Sequence, residues 1–281
     1  MAAGEPISEA NIRFAPVSPA SGEQLWTQHG EADVDGEHFE VDRVLYRRPT
    51  GQLVLTGSVG PALEVDQSSA AITIDDGDLG VQLQLLATFA IPLVVHTTGA
   101  LVLHGSACTL GDHTIVVCGD SGAGKSSLLV GLLDAGWAAV TEDLCAIDLR
   151  GPAPLVWPGP PWVRIGQGKP GPVGSQPRFD SPYKTGWDIA FNQTTKPTPV
   201  THVVLLQSPG GESPSVEPVS HPDALHDLAR HAVWLGDQNE RGRALFGPTA
   251  ELVSKVPTIR LRFPRRDSWL DQVPAFLASA L

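Results

Sequence analysis

Apolar positions follow three different patterns along the chain. Between residues 38 and 76 they alternate with polar ones, in "HFEVDRVLYRR", a Pro-Thr-Gly turn, "QLVLTGSV" and "AAITIDD". A period of two places one face in a core, so a small antiparallel sheet is predicted over roughly 31–76. Residues 1–30 show little periodicity and predict an irregular arm. "DGDLGVQLQLLATFAIPLVVHTTG" then reads as an apolar helix interrupted near Pro92. Beyond it come short continuous apolar runs, the mark of strands buried on both faces. "ALVLHGSACTL" and "HTIVVCGD" form a strand pair joined by a Gly-Asp turn at 111–112, and "VTHVVLLQ" and "TIRLRFP" are further strands. "WAAVTEDLCAIDL" reads as one strand with its turn, while Ser126–Ala135, "HPDALHDLARHAVWL" and "SWLDQVPAFLASAL" read as helices. Residues 150–200 are dense in Pro and Gly and predict loops, with 166–176 a candidate lid or acceptor loop.

Strands that alternate with helices after a β-rich start predict an α/β chain with a mixed twisted sheet. The expected division is an N-terminal arm and small β-rich domain over 1–85, with a larger domain over 86–281. A chain of 281 residues with 42% hydrophobic content suits that arrangement.

Charge narrows the function. The formal net charge is −12, and residues 1–95 hold 4 basic against 14 acidic side chains. No basic patch marks a nucleic-acid partner. The longest apolar run, Leu85–Val95, falls short of the ~20 residues a membrane helix needs. No charged start precedes an apolar stretch at the N-terminus, so no signal peptide is read. Cys108, Cys118 and Cys145 lie in or beside apolar runs without metal-ligand spacing, as buried reduced thiols would. A soluble cytoplasmic protein is expected.

The chemistry begins at Gly119-Asp120-Ser121-Gly122-Ala123-Gly124-Lys125-Ser126-Ser127. This matches the spacing of a phosphate-binding P-loop, and it stands between an apolar strand and a helix as such loops do. The glycines let successive N–H groups aim inward, and the helix N-terminus adds its dipole. Lys125 reaches the β/γ-phosphates, and the Ser126 hydroxyl can ligand Mg²⁺. Nucleotide binding is therefore predicted. "NQTTKP" lacks the Asn-Lys-x-Asp pattern that reads guanine.

Glu142–Asp143 follows on the next strand. Beside a P-loop, one carboxylate can hold Mg²⁺ while its neighbour draws the proton from an attacking hydroxyl. His104 opens "HGS" at the end of the strand that precedes the P-loop strand. Arg164, Lys184 and Arg230 are candidates for the further cation that phosphoryl transfer uses, although each reads individually as a surface or packing residue.

Residues 101–148, "LVLHGSACTLGDHTIVVCGDSGAGKSSLLVGLLDAGWAAVTEDLCAID", closely resemble the core of the HPr serine kinase/phosphorylase family. The shared pattern is a strand ending in His-Gly, a hairpin, a GxSGxGKS loop, a helix and an acidic pair. The resemblance implies a P-loop kinase core similar to the nucleotide-binding part of phosphoenolpyruvate carboxykinase. It also implies phosphorylation of a serine hydroxyl with ATP and Mg²⁺. By motif position, Gly119–Ser127 would bind phosphates, Ser126 and Asp143 would serve Mg²⁺, Glu142 would accept the proton, and His104 would lie near that base. The family pair is normally Asp-Asp, so Glu142 and Asp143 could exchange roles. The family's second, Gly-rich signature is not found after residue 150.

The chain more closely resembles divergent HPr-kinase-related proteins, several of which accompany ribosomally made peptides, lasso peptides among them, and phosphorylate a peptide hydroxyl. The implied acceptor is a Ser/Thr hydroxyl of a peptide or protein. Relatives are often oligomers, which leaves a homo-oligomer open. A small-molecule hydroxyl as acceptor, or a module that senses ATP without transferring phosphate, are the alternatives.

Overall fold

The computed structural model describes residues 11–18, 21–34, 37–57, 61–181, 184–207, 213–235, 239–264 and 272–281. It is a mixed α/β structure whose contacts divide the chain into two compact units. One comprises Met1–Gly99 with Phe179–Tyr183 and Trp234–Gly242, and the other holds the remaining residues.

The first unit is built on β1 (Asn11–Phe14), β2 (Glu23–Val34), β3 (Glu37–Arg47), β4 (Leu53–Gly57), β5 (Leu63–Asp66) and β6 (Ala71–Ile74). Consecutive strands from β2 to β6 pair antiparallel, and β1 adds in parallel beside β6. The expected sheet is thus larger than its alternation indicated. Parts of 1–30 read as an arm because β1 and β2 supply edge strands, which need no alternating apolar face. The buried side of the sheet, including Leu45, Leu55, Leu63, Val65, Ile72 and Ile74, packs on the apolar helical segment.

That segment runs as α1 (Leu79–Leu85), a π-helical turn at Leu86–Ala90, α2 (Ile91–Val95) and a 3₁₀ turn at His96–Thr98. Asp78 caps α1 by accepting from Val81 N–H at 3.0 Å. Pro92 lies in the first turn of α2, where its missing N–H is tolerated. The interruption therefore falls at the widened π turn, one step before the proline that the sequence marks.

In the second unit the strands in chain order begin with β7 (Leu101–Leu110) and β8 (His113–Cys118). After α3 (Lys125–Asp134) come β9 (Ala138–Thr141), β10 (Leu144–Asp148), β11 (Leu155–Val156), β12 (Trp162–Gly166), β13 (Pro177–Ser181), of which Phe179–Ser181 count with the first unit, β14 (Lys184–Asp188), β15 (Thr198–Pro199), β16 (His202–Gln207) and β17 (Ser215–Pro218). The chain closes with α4 (His221–His231), α5 (Arg241–Lys255), β18 (Thr258–Arg262) and α6 (Val273–Ala280). The main sheet has the order β15-β11-β10-β7-β8-β16-β18-β17, with β9 also on β7. β8, β16 and β18 run parallel and their neighbours antiparallel, which makes the sheet mixed. The parallel strands carry Ile115, Val117, Val204, Leu206 and Leu261 in one core cluster with Leu128, Leu129, Leu132 and Leu133 of α3. Burial on both faces explains why these strands read as unbroken apolar runs.

"WAAVTEDLCAIDL" departs from its expectation by forming two strands, β9 and β10, that both pair with β7. The corner between them is Glu142–Asp143, and Asp143 takes a left-handed φ of 70°. Aspartate is among the few non-glycine residues that tolerate this region. The Pro- and Gly-dense stretch also holds more strand than expected, since β12 and β14 form a ladder with Arg164 opposite Gly186.

Candidate active site

The glycine-rich loop Gly119–Ser127 starts at the carboxyl end of β8, a usual ligand position in sheets with parallel strands. Gly119 is buried because Leu206 on β16 closes against it. A Cβ there would stand 2.9 Å from the Leu206 carbonyl oxygen. At the other end Gly124 adopts φ 100° as the residue before α3, a conformation that favours glycine. Ala123 is buried between them, whereas Asp120, Ser121 and Gly122 are exposed. Lys125 folds its side chain back over the loop. Its Nζ donates to the carbonyls of Gly119 at 2.7 Å and Asp120 at 3.2 Å. Burial, with a smaller contribution from Lys184, lowers the Lys125 pKa. Ser126 and Ser127 follow in the first turn of α3.

The Glu142–Asp143 corner faces this loop. Ser126 Oγ donates to Glu142 Oε1 at 3.3 Å, so the loop serine and the first carboxylate meet. The Asp143 carbonyl accepts from Gly105 N–H at 3.0 Å, which pins the corner to β7. Leu144 pairs with His104 in the same register, bringing that histidine alongside. His104 Nδ1 lies 3.8 Å from Asp143 Oδ1, beyond hydrogen-bond range but close enough for electrostatic attraction. Burial is the main reason the His104 pKa is lowered, with Lys125 and Lys184 adding to it and Asp143 opposing.

Arg164 completes the group. It reads from sequence as one of three candidate cations, individually a surface or packing residue, and only 4% of it is exposed. Its Nη2 donates to Asp143 Oδ2 in a tight charged bond, and its Nε lies 3.7 Å from Glu142 Oε2 without a hydrogen-bond partner. Arg164 therefore holds both carboxylates from behind, leaving Glu142 Oε1 and Asp143 Oδ1 facing Ser126 and His104. The buried Glu142 is pushed up to about 6 by desolvation and by Asp143, against the pull of Arg164, Lys184 and Ser126. Lys184 acts on His104, Lys125 and Glu142 alike, which puts its charge within reach of the whole group.

His231 carried no sequence signal at all. It ends α4, and its neighbours in charge are Asp120, Lys125, Arg230 and His104. Only the topology brings it here, since a lone histidine after an amphipathic helix has no motif.

No family model matches the sequence, and no curated protein does. Among solved structures the chain is similar to the Hpr(Ser) kinase/phosphatase from Coxiella burnetii, at 10% identity and a TM-score of 0.36. The match covers 64% of this chain and 95% of that one.

Proposed function

We propose that this chain is an ATP- and Mg²⁺-dependent kinase that transfers the γ-phosphate to a Ser/Thr hydroxyl of a peptide or protein, such as a ribosomally made precursor peptide. The observation that carries the reading is the 3.3 Å contact between Ser126 Oγ and Glu142 Oε1. It joins a phosphate loop to an acid pair that also has a histidine beside it. A module that merely held nucleotide would not need a base, a metal ligand and a histidine together. The sequence resemblance is what supports a Ser/Thr hydroxyl as the acceptor.

Mg²⁺ fits the donor set. No group of three or more His, Cys, Asp or Glu suited to a metal occurs among the described residues. Mg²⁺ commonly takes one or two carboxylates and completes its shell with water and phosphate oxygens, so a serine hydroxyl and one carboxylate are apt. When bound, the ion neutralises charge on the β- and γ-phosphates. Because Glu142 rather than Asp143 meets Ser126, we assign the metal side to Ser126 and Glu142 and the proton to Asp143.

In this scheme the loop N–H groups and Lys125 bind the phosphates. Asp143 Oδ1 accepts the proton of the acceptor hydroxyl, while Oδ2 stays fixed by Arg164. His104 lies 3.8 Å from Oδ1, and burial, which lowers its pKa, favours the neutral imidazole, so it does not compete for the proton. Catalysis then rests on positioning and charge neutralisation.

The test is γ-labelled ATP turnover with Mg²⁺, for the protein alone and with a library of Ser/Thr peptides, beside Asp143→Asn. Label should move to a peptide in the native protein and stay on ATP in the variant. Tight ATP binding with neither transfer nor hydrolysis would replace the kinase with an ATP-sensing module.

A further inference from the structure

β7 exchanges neighbours at His104. From Gly105 onward one flank pairs with β8, Gly105 lying opposite Cys118. Before that point Leu103 bridges Ala232, and Val233 N–H donates to the Val102 carbonyl at 2.8 Å. The exit of α4 is thereby fixed beside β7, and its last two residues, Arg230 and His231, reach the phosphate loop. Leu144 pairs with His104 from the β10 side. His104 thus stands between the acid corner and the end of α4.

Arg230 Nη2 donates to Asp120 Oδ1 at 3.2 Å, and both side chains are well exposed, at 59% and 70%. Such a pair adds little to stability. Its place is what matters, because Asp120 is an anion in a loop that collects anions. A guanidinium that binds a carboxylate there binds a phosphate better, through two parallel hydrogen bonds and a larger opposing charge. Arg164 is buried against Asp143 and does not supply this cation. His231 brings a second nitrogen-bearing side chain to the same side, its pKa lowered chiefly by burial and further by Lys125, Arg230 and His104.

We infer that Arg230 is a positioning residue for the terminal phosphoryl group, held at the loop by Asp120 and transferred from that carboxylate to the phosphate when ATP binds. The inference rests on the nucleotide-handling reading and adds to it a residue that tells ATP from ADP. The exchange is a swap of ion-pair partners, with no bond made or broken. It corresponds to the role that an arginine supplied in cis plays in other phosphoryl-transfer sites.

Calorimetric titration of Mg²⁺-ATP and Mg²⁺-ADP into the native chain, Arg230→Ala, Arg230→Lys and Asp120→Asn tests it. Loss of the charge-assisted bonds should weaken ATP by about tenfold to hundredfold in Arg230→Ala and change ADP by less than about threefold. Arg230→Lys should recover part of the ATP affinity, and Asp120→Asn, which releases the guanidinium, should raise it. Equal weakening of both nucleotides, or of neither, overturns the inference while leaving nucleotide binding intact. A native chain that binds neither nucleotide overturns the proposed function itself.

Discussion

Ser126 in the phosphate loop and Glu142 in the corner between β9 and β10 approach to 3.3 Å, oxygen to oxygen. The adjacent Asp143 turns the other way, towards His104 and Arg164. Two neighbouring carboxylates therefore face two different partners. The left-handed φ of Asp143 still lets both carboxylates reach Arg164, because an extended corner would present the two side chains on opposite faces of one strand.

This division predicts that the two carboxamide variants fail differently. Asp143→Asn should lower phosphoryl transfer by about 10²–10⁴-fold, the usual reach of a general base, with ATP affinity retained. Glu142→Gln should instead raise the Mg²⁺ concentration needed for half-maximal turnover. Initial rates over a Mg²⁺ series, with nucleotide affinity measured alongside, separate them. Identical Mg²⁺ profiles for the two variants would rule out the assignment.

Arg164 governs whether the corner holds together. Removing it leaves Glu142 and Asp143 buried side by side without their shared cation. Arg164→Met should cost about 3–5 kcal/mol in urea unfolding, as breaking a buried ion pair does. Arg164→Lys should recover only part of this, since an ammonium cannot serve both carboxylates in a fixed fork. Adding Glu142→Gln and Asp143→Asn to Arg164→Met should restore most of the loss. A triple variant no more stable than Arg164→Met would show that packing, not charge, is what Arg164 supplies.

Glu142 also sets a pH dependence. Its folded pKa of about 6 lies above the ordinary 4.5, so the folded chain holds this proton more tightly than the unfolded chain. The sign follows directly: the group's contribution is fully present below pH 4.5 and is lost as pH rises through 6. The shift amounts to about 2 kcal/mol. In chelator-treated protein, Glu142→Gln should therefore gain about that much over the native chain at pH 8 and much less at pH 4.5. Melting temperatures across that range provide the check, and a constant difference would contradict it.

The parts of this site that could be read from sequence were those whose signal is local. Spacing alone marked Gly119–Ser126, and the unbroken apolar runs marked β7, β8, β16 and β18. The Glu142–Asp143 pair was read beside the loop, but the second strand after it was hidden because the flanking residues suit a single strand equally well. The bend at the pair arises from pairing of both β9 and β10 with β7, a non-local fact. Arg164 reads as a surface residue because arginine usually is one, and its burial depends on carboxylates about twenty positions away. α5 escaped because Gly242, Gly247 and Pro248 resemble loop punctuation. Its buried Leu245, Thr249, Leu252 and Val253 nevertheless follow helical spacing. His231 shows the limit most plainly, since its relation to His104 comes from the pairing of residues 232–233 with β7, at the Leu103–Ala232 bridge and the Val233–Val102 hydrogen bond.

A last prediction concerns the first unit. His96 ends the apolar helical segment with its Nε2 buried and unpartnered, its ring set edge-on to Trp234 at 5.5 Å. Burial depresses its pKa from 6.5 to about 4. For a histidine with a depressed folded pKa, the unfolded chain takes up the proton first. Stability is then intact above pH 6.5 and falls as pH drops from 6.5 to 4, by about 3 kcal/mol when complete. His96→Phe keeps an aromatic edge against Trp234 and removes the orphaned nitrogen. It should match or slightly exceed the native chain at pH 7.5 and surpass it increasingly towards pH 4, while carboxylate contributions cancel in the comparison. Hydrogen exchange of peptides spanning 86–98, converted to local opening free energies at each pH, reads this unit directly. A difference between the two proteins that stays flat from pH 7.5 to 4 would show that His96 takes up its proton alike in the folded and unfolded chain.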